Sequence, residues 1–246
     1  MQHVISVKNM RVCDKRTIES GVPSLELMYR AAKGIRESSD FEGKTLIAVG
    51  SGNNGGDGFA LALLLLMEGR DVAVISVTDH YSQDSSYYMN KALGMGLKLI
   101  DFVKGKGLFK GYDTIVDCLL GTGFSGKVEG SYADAINEIN DAGLGTCAGP
   151  GSYIISADIN SGMNGDSGEA DLAVKSDLTV VIGFHKTGIL KARKSGLIRK
   201  ICCVDIGISL TEEENYLLTR EEWTLRSLPE DKDEIELNGR ICFRED

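Results

Sequence analysis

The chain has 246 residues, 42% apolar and 26% charged, with a formal net charge of −9. That balance fits a folded globular chain of one large domain or two small ones and excludes fibrous or wholly disordered structure. The acidity demotes nucleic-acid binding by phosphate neutralisation.

The N-terminal forty residues predict two helices. Ser6 is placed to cap the first and Gly21 to end it, while Pro23 and Ser24 open the second. Met28, Ala31, Ala32 and Ile35 recur at i, i+3, i+4, i+7 and give the second helix one apolar face. Thr45–Val49 is a short apolar run that ends in GSGNNGGDG, and the nine apolar residues 59–67 predict a buried helix. Asp71–Thr78 reads as a strand, Ser82–Gly96 as a helix, Thr114–Leu120 as a strand and Tyr132–Ile139 as a helix. Tyr153–Ile159, Leu178–Phe184 and Ile198–Ile206 are three further apolar strands. Strands alternating with helices predict an α/β fold, with a mainly parallel sheet covered on both faces.

The acid is unevenly spread. Residues 211–246 hold 12 Asp/Glu against 5 Lys/Arg, a net of −7, which leaves −2 for the first 210 residues. A near-neutral body over 1–210 and an acidic tail over 211–246 follow, the tail expected as a solvated, weakly ordered appendage. The six cysteines, at 13, 118, 147, 202, 203 and 242, include no C-x-x-C, and three histidines do not make a zinc cluster. The start lacks the apolar core of a signal peptide, and no run approaches 18 apolar residues. The expectation is a cytoplasmic protein without a membrane partner.

In open parallel sheets, ligands sit beyond the carboxyl ends of the strands. Four glycine-rich polar loops fall there. The first, Gly50–Gly58, contains a G-x-G-x-x-G at Gly50, Gly52 and Gly55, together with Asn53, Asn54, Gly56 and Asp57. It reads as a dinucleotide turn, with Asp79 as a candidate ribose ligand, or as a tight strand–helix turn that needs glycine for backbone reasons. Asp57 reads as a site carboxylate or as a helix N-cap. The second loop, Gly121-Thr122-Gly123-Phe124-Ser125-Gly126-Lys127, is not a Walker motif but suits a phosphate or pyrophosphate. Asp117 lies inside the preceding apolar strand, where an unpaired carboxylate costs several kcal/mol. It is either a cation ligand or a buried Asp satisfied by loop N–H groups. Asp158 and Ser161 follow the next strand, and the loop 185–188 (HKTG) follows the one after. Asn54, Asp117 and Ser161 are hard oxygen donors from three loops, a set rich in neutral groups that suits K⁺ better than Mg²⁺.

GNNGGDG, VDCLLGTGFSG and SADINSG, in this order and spacing, resemble the NAD(P)H-hydrate epimerase family, the YjeF N-terminal domain. DKRTIESGVPSLELM near the start and the closing VDIGI extend the likeness over about residues 6–208. The resemblance departs at Tyr29-Arg30, where many members have an acidic residue followed by Asn. It implies a Rossmann-like three-layer α/β/α sandwich, usually a homodimer, that interconverts the R and S hydrates of NADH or NADPH at ring carbon 6 with bound K⁺. Asn53, Asn54, Gly55, Gly56 and Asp57 would then line the substrate site. Gly121, Thr122, Gly123, Phe124, Ser125, Gly126 and Lys127 would hold the phosphates. Asn54, Asp117 and Ser161 would ligate potassium, and Asp158 would meet the nicotinamide end. The tail to Pro229 resembles the linker to a dehydratase domain that this sequence does not contain.

Two other functions compete. A non-catalytic dinucleotide- or RNA-related scaffold of the same fold has no need of Asn54, Asp117 and Asp158, and the near-neutral body disfavours RNA. An ordinary NAD-dependent oxidoreductase leaves the second loop and Asp117 unexplained. For catalysis Asp158 is the foremost candidate to give and take the proton of the ring hydroxyl, with Asp57 next. Of the three histidines, His3 is near the terminus, His80 follows the second strand, and His185 lies in the loop after the sixth strand with no evident orienting partner nearby in sequence.

Overall fold

The computed structural model describes residues 1–145 and 149–245; Cys147 lies outside them. In chain order the elements are β1 (Gln2–Ile5), α1 (Val7–Glu19), α2 (Ser24–Glu37), β2 (Lys44–Val49), α3 (Asn53–Met67), β3 (Asp71–Ser76), α4 (Gln83–Gly94) and β4 (Lys98–Asp101). There follow β5 (Thr114–Cys118), α5 (Gly130–Gly143), β6 (Tyr153–Ala157), β7 (Leu178–Ile182), β8 (His185–Lys186), α6 (Thr187–Lys191) and β9 (Ile201–Val204). The chain closes with β10 (Asn215–Leu218), α7 (Arg220–Leu225), β11 (Glu234–Leu237) and β12 (Arg240–Arg244).

The main sheet has seven parallel strands in the order β4-β3-β2-β5-β6-β7-β9. Its central strands are apolar on both faces because helices cover both. Ile47, Val49, Val74 and Val116 pack with α2, α3 and α4, while Leu46, Ala48, Ile75 and Ile115 pack with Ala135, Ile136 and Ile139 of α5. This is the three-layer α/β/α sandwich expected from the alternating pattern. The N-terminal readings hold at the residue level. Ser6 accepts the Asn9 N–H at 3.2 Å as the α1 cap, and Met28, Ala31, Ala32 and Ile35 are buried.

Most apolar runs become shorter strands than their length suggests. β6 stops at Ala157 because Asp158 turns into the left-handed region at φ 68°, and β7 stops at Ile182 before Gly183 at φ 76°. The first glycine loop is largely helix: α3 begins at Asn53, with Gly52 at its cap. Asp57 is therefore in the second turn, and the N-cap alternative does not hold. A side chain is barred at Gly50, where a Cβ would stand 2.0 Å from the Leu119 carbonyl oxygen, and at Gly55, where it would stand 2.2 Å from that of Gly50. Glycine here lets the β2 and β5 loops touch backbone to backbone.

The expectation of a weakly ordered acidic tail is corrected. Its three strands join β1 and β8 in a second, five-stranded sheet in the order β11-β12-β10-β1-β8. Leu218, Trp223 and Cys242 form its small core, and Thr219 and Glu222 form a capping box on α7. Three acidic residues are tied down by this arrangement: Glu213 to Arg240, Glu214 to the Ser6 N–H and hydroxyl, and Asp233 to Lys194 and Arg244. The five described cysteines are free thiols, and among the described residues no helix is long and apolar enough to cross a membrane.

Candidate active site

The carboxyl ends of β2, β5, β6 and β7 open into one cavity of about 530 Å³, a volume in the range of small-molecule sites. Asn53, Asn54 and Asp57 line it from α3, Gly121, Thr122, Gly123 and Phe124 from the loop after β5, and Asp158 from the end of β6. Ser125, Gly126 and Lys127 turn to an adjoining cavity of about 380 Å³, with Phe124 common to both. The GTGFSGK loop therefore runs along the boundary of two spaces, and Arg11 of α1 ties it down by donating to the Thr122 carbonyl at 2.7 Å. Gly55 and Gly56 are buried inside α3 and act through packing, not as walls. Asp79 is 90% exposed beside His80 and is not part of the cavity lining, so the ribose reading of Asp79 is not supported.

Asp117 and Ser161 lie fully buried beneath the cavity. Asp117 accepts from the Leu119 N–H at 3.2 Å, the Ser161 N–H and Ser156 hydroxyl at 2.9 Å, and the Ser161 hydroxyl at 2.5 Å. Burial raises its carboxyl above the ordinary range, and these donors oppose the rise. Asn54 contrasts with it. Its side chain is 7% exposed, and both amide atoms are buried without a partner. A buried polar group left unbonded is costly.

Asp158 holds the strained position. Its N–H donates to the Val180 carbonyl at 2.8 Å, and its carboxylate accepts from the Ile182 N–H at 3.3 Å and from the Lys186 ammonium. Lys186 is fully buried and also donates to the Ile182 carbonyl at 2.7 Å. Two further carboxylates face the same space. Burial first, then the charges of Asp158 and Asp14, push Asp57 well above the carboxylate range; burial and Asp158 raise Asp14 on α1. The centre thus holds three carboxyl groups and one buried ammonium, and one of the three, Asp57, keeps its proton to unusually high pH.

Sequence reasoning singled out Asp57 and Asp158 but missed Asp14 and Lys186. Asp14 sits alone in a helical pattern whose apolar face says nothing about a cavity. Lys186 was visible only as one letter of the HKTG loop after β7; a lysine two residues before a glycine at the carboxyl edge of the sheet was the available signal.

The family described as YjeF-related protein N-terminus matches residues 24–188. The NAD(P)H-hydrate epimerase of Limosilactobacillus fermentum is 32% identical over 83% of this chain and 97% of its own length. That of Lentilactobacillus buchneri is 35% identical over 85% and 96%. The bifunctional NAD(P)H-hydrate repair enzyme Nnr of Archaeoglobus fulgidus is 33% identical over 83% of this chain but only 41% of its own. The crystal structure of yeast YNL200c superposes with a TM-score of 0.65 at 17% identity, covering 80% of this chain and 87% of that one, and so shares the fold. The chain belongs to the YjeF-related N-terminal family.

Proposed function

We propose that this protein interconverts the R and S hydrates of NADH and NADPH at carbon 6 of the hydrated nicotinamide. The observation that carries the reading is the Asp158 carboxylate, held on a left-handed residue where the β2, β5 and β7 loops converge, with the Asp57 carboxyl in the same cavity. The names of the similar enzymes support the substrate. Proton transfer at the ring hydroxyl begins both conceivable routes, water loss and ring opening. Asp57, whose carboxyl is raised by burial and by Asp158 and Asp14 against the lowering effect of Lys186, serves as the proton donor in this reading, and Asp158 as the acceptor. Gly121–Lys127 hold the phosphates, and Asn53 and Asn54 border the substrate between the two groups.

We propose potassium beside Asn54, whose Oδ1 has no protein partner. Asp117 already accepts four hydrogen bonds and the Ser161 hydroxyl is shared between Asp117 and Leu120, so these two would join the ion only by giving up some of those bonds. Bound there, the ion would offset negative charge near Asp117, with Asn54 of α3 as its unpartnered oxygen ligand. Asn54→Ala should abolish the rise in melting temperature that KCl produces over LiCl in the intact protein; an undiminished rise would remove Asn54 from the site.

A mixture of R and S hydrates given to the pure protein tests the function. Interconversion supports it. Absence of interconversion with retained dinucleotide binding would favour the non-catalytic scaffold. A homodimer in a cytoplasmic, reducing compartment completes the proposal; the free thiols suit such a compartment, and sedimentation measures the dimer.

A further inference from the structure

We infer that Lys186 is a positioning residue of the catalytic centre: its buried ammonium fixes the Asp158 carboxylate toward the cavity where the hydrated ring binds. The inference rests on the proposed epimerase reading and extends it to a residue outside the glycine loops.

Three observations converge on Lys186. First, a lysine with no exposed surface is rare, because the ammonium loses its water. Lys186 recovers that loss through Asp158 and the Ile182 carbonyl. Second, it is one of the residues lining the cavity, on the side where Asp14, Asp57 and Asp158 gather. Carboxyl groups gathered with no cation would be held together only by keeping protons; the one ammonium among them pairs directly with Asp158 and lets that carboxylate stay ionised. Third, Lys186 stands on a strand held from outside the main sheet. Ile5 of β1 pairs with Lys186 and Val4 with His185, and β1 in turn pairs with β10. Gly188 donates to the Gly165 carbonyl at 2.8 Å just beyond it. The backbone under the ammonium is fixed on both sides.

A purely architectural lysine, present to satisfy the Ile182 carbonyl, is the rival. The two roles separate in kinetics. Asp158 sits on a left-handed backbone, so its carboxylate depends on the Ile182 N–H and on Lys186 for its direction. Loss of the ammonium should misplace the carboxylate without emptying the dinucleotide cleft, and a misplacement on the order of 1 Å costs about 10²-fold in rate.

The test measures hydrate interconversion and melting for the wild type, Lys186→Met, Asp158→Asn and the double variant. Lys186→Met is expected to lower kcat by about 10²-fold with KM changed less than about 3-fold. Because Lys186 acts through Asp158, adding Lys186→Met to Asp158→Asn should cost no further rate. The double variant also removes both charges, so it stays folded if Lys186→Met alone melts on account of an unpaired carboxylate. Wild-type kcat in a folded Lys186→Met protein overturns the inference. Losses that multiply in the double variant, or a loss confined to KM, overturn it as well. A wild-type protein that does not interconvert the hydrates instead refutes the epimerase reading, and this inference falls with it.

Discussion

The two sheets of this protein are built on opposite terms. The seven-stranded parallel sheet rests on short, continuous apolar runs buried on both faces, with every crossover made by helix or loop along the chain. The five-stranded sheet joins segments from the two ends of the sequence: β1 begins at Gln2, β8 at His185 and β12 at Arg240. Its strands are two to five residues long and mix buried with half-buried and exposed positions. The large sheet presents the reactive groups at its carboxyl edge. The small one holds β8, which carries Lys186, from behind. The difference teaches that the site depends on both: a loop edge that offers chemistry and a remote clasp that orients part of it.

The largest expected effect breaks the chemistry while leaving both sheets intact. Asp158→Asn keeps the size of the side chain and an oxygen for the Ile182 N–H. It removes the carboxylate that accepts the proton, and acid/base catalysis is typically worth about 10²–10⁴-fold. The rate of hydrate interconversion should fall by that factor with dinucleotide binding close to wild type, while the melting temperature falls because the buried Lys186 loses its charged partner. A folded Asp158→Asn protein with the wild-type rate would move the role to Asp57; an equal loss of binding and rate would make Asp158 a positioning group.

The second effect is a break at the junction of the sheets. Phe243 of β12 is 1% exposed and packs with Val4 of β1, Leu190 of α6 and Leu217 of β10. Phe243→Ala should destabilise the small sheet by about 3–5 kcal/mol. The chain's single tryptophan, Trp223, lies in the core of that sheet, with its indole N–H donating to the Pro229 carbonyl at 3.0 Å. Its fluorescence reports the small sheet, while far-ultraviolet dichroism reports the helices that cover the large one. In Phe243→Ala the fluorescence transition should precede the dichroism transition on heating. Coincident transitions would show that the two sheets unfold as one unit.

This contrast also explains what the sequence made legible. The seven parallel strands declare themselves by hydrophobicity, and six of them were readable; β4, with the pattern KLID, is too short and too exposed at the sheet edge to stand out. Polar residues that interrupt a buried strand or end it, such as Asp117 and Asp158, were readable for the same reason. The small sheet was hidden because its pairing is long-range and its residues alternate with acids. EIEL in β11 and RICFR in β12 look like a charged tail until Arg240, Arg244 and Trp223 are placed beside them. Lys186 was hidden with that sheet, since only the pairing of β1 with β8 shows why a lysine there points inward.

The smallest expected effect sharpens the comparison at its seam. His185 and Lys186 are neighbours on β8. His185 is 4% exposed, with Nε2 bonded to Gln2 Oε1 of β1 at 2.7 Å. Burial first, then the charges of Lys186 and Arg193, lower its pKa from 6.5 to about 4. The unfolded chain therefore binds a proton at this residue before the folded chain does. The contribution of a neutral buried His185 is complete above about pH 6.5 and drains away as the pH falls toward 4. A shift of this size amounts to ~3 kcal/mol. The carboxylates Asp14 and Asp57 titrate in the opposite sense, because their folded values are raised, so a wild-type pH profile alone mixes the two. The difference between wild type and His185→Gln cancels them, provided the variant retains the bond to Gln2. Urea melts at pH 6.5 and pH 4 should show the wild type losing up to ~3 kcal/mol more than His185→Gln over that interval. Equal losses in the two proteins would mean that the imidazole is protonated within the fold and that the seam between the sheets accommodates a second cation beside Lys186.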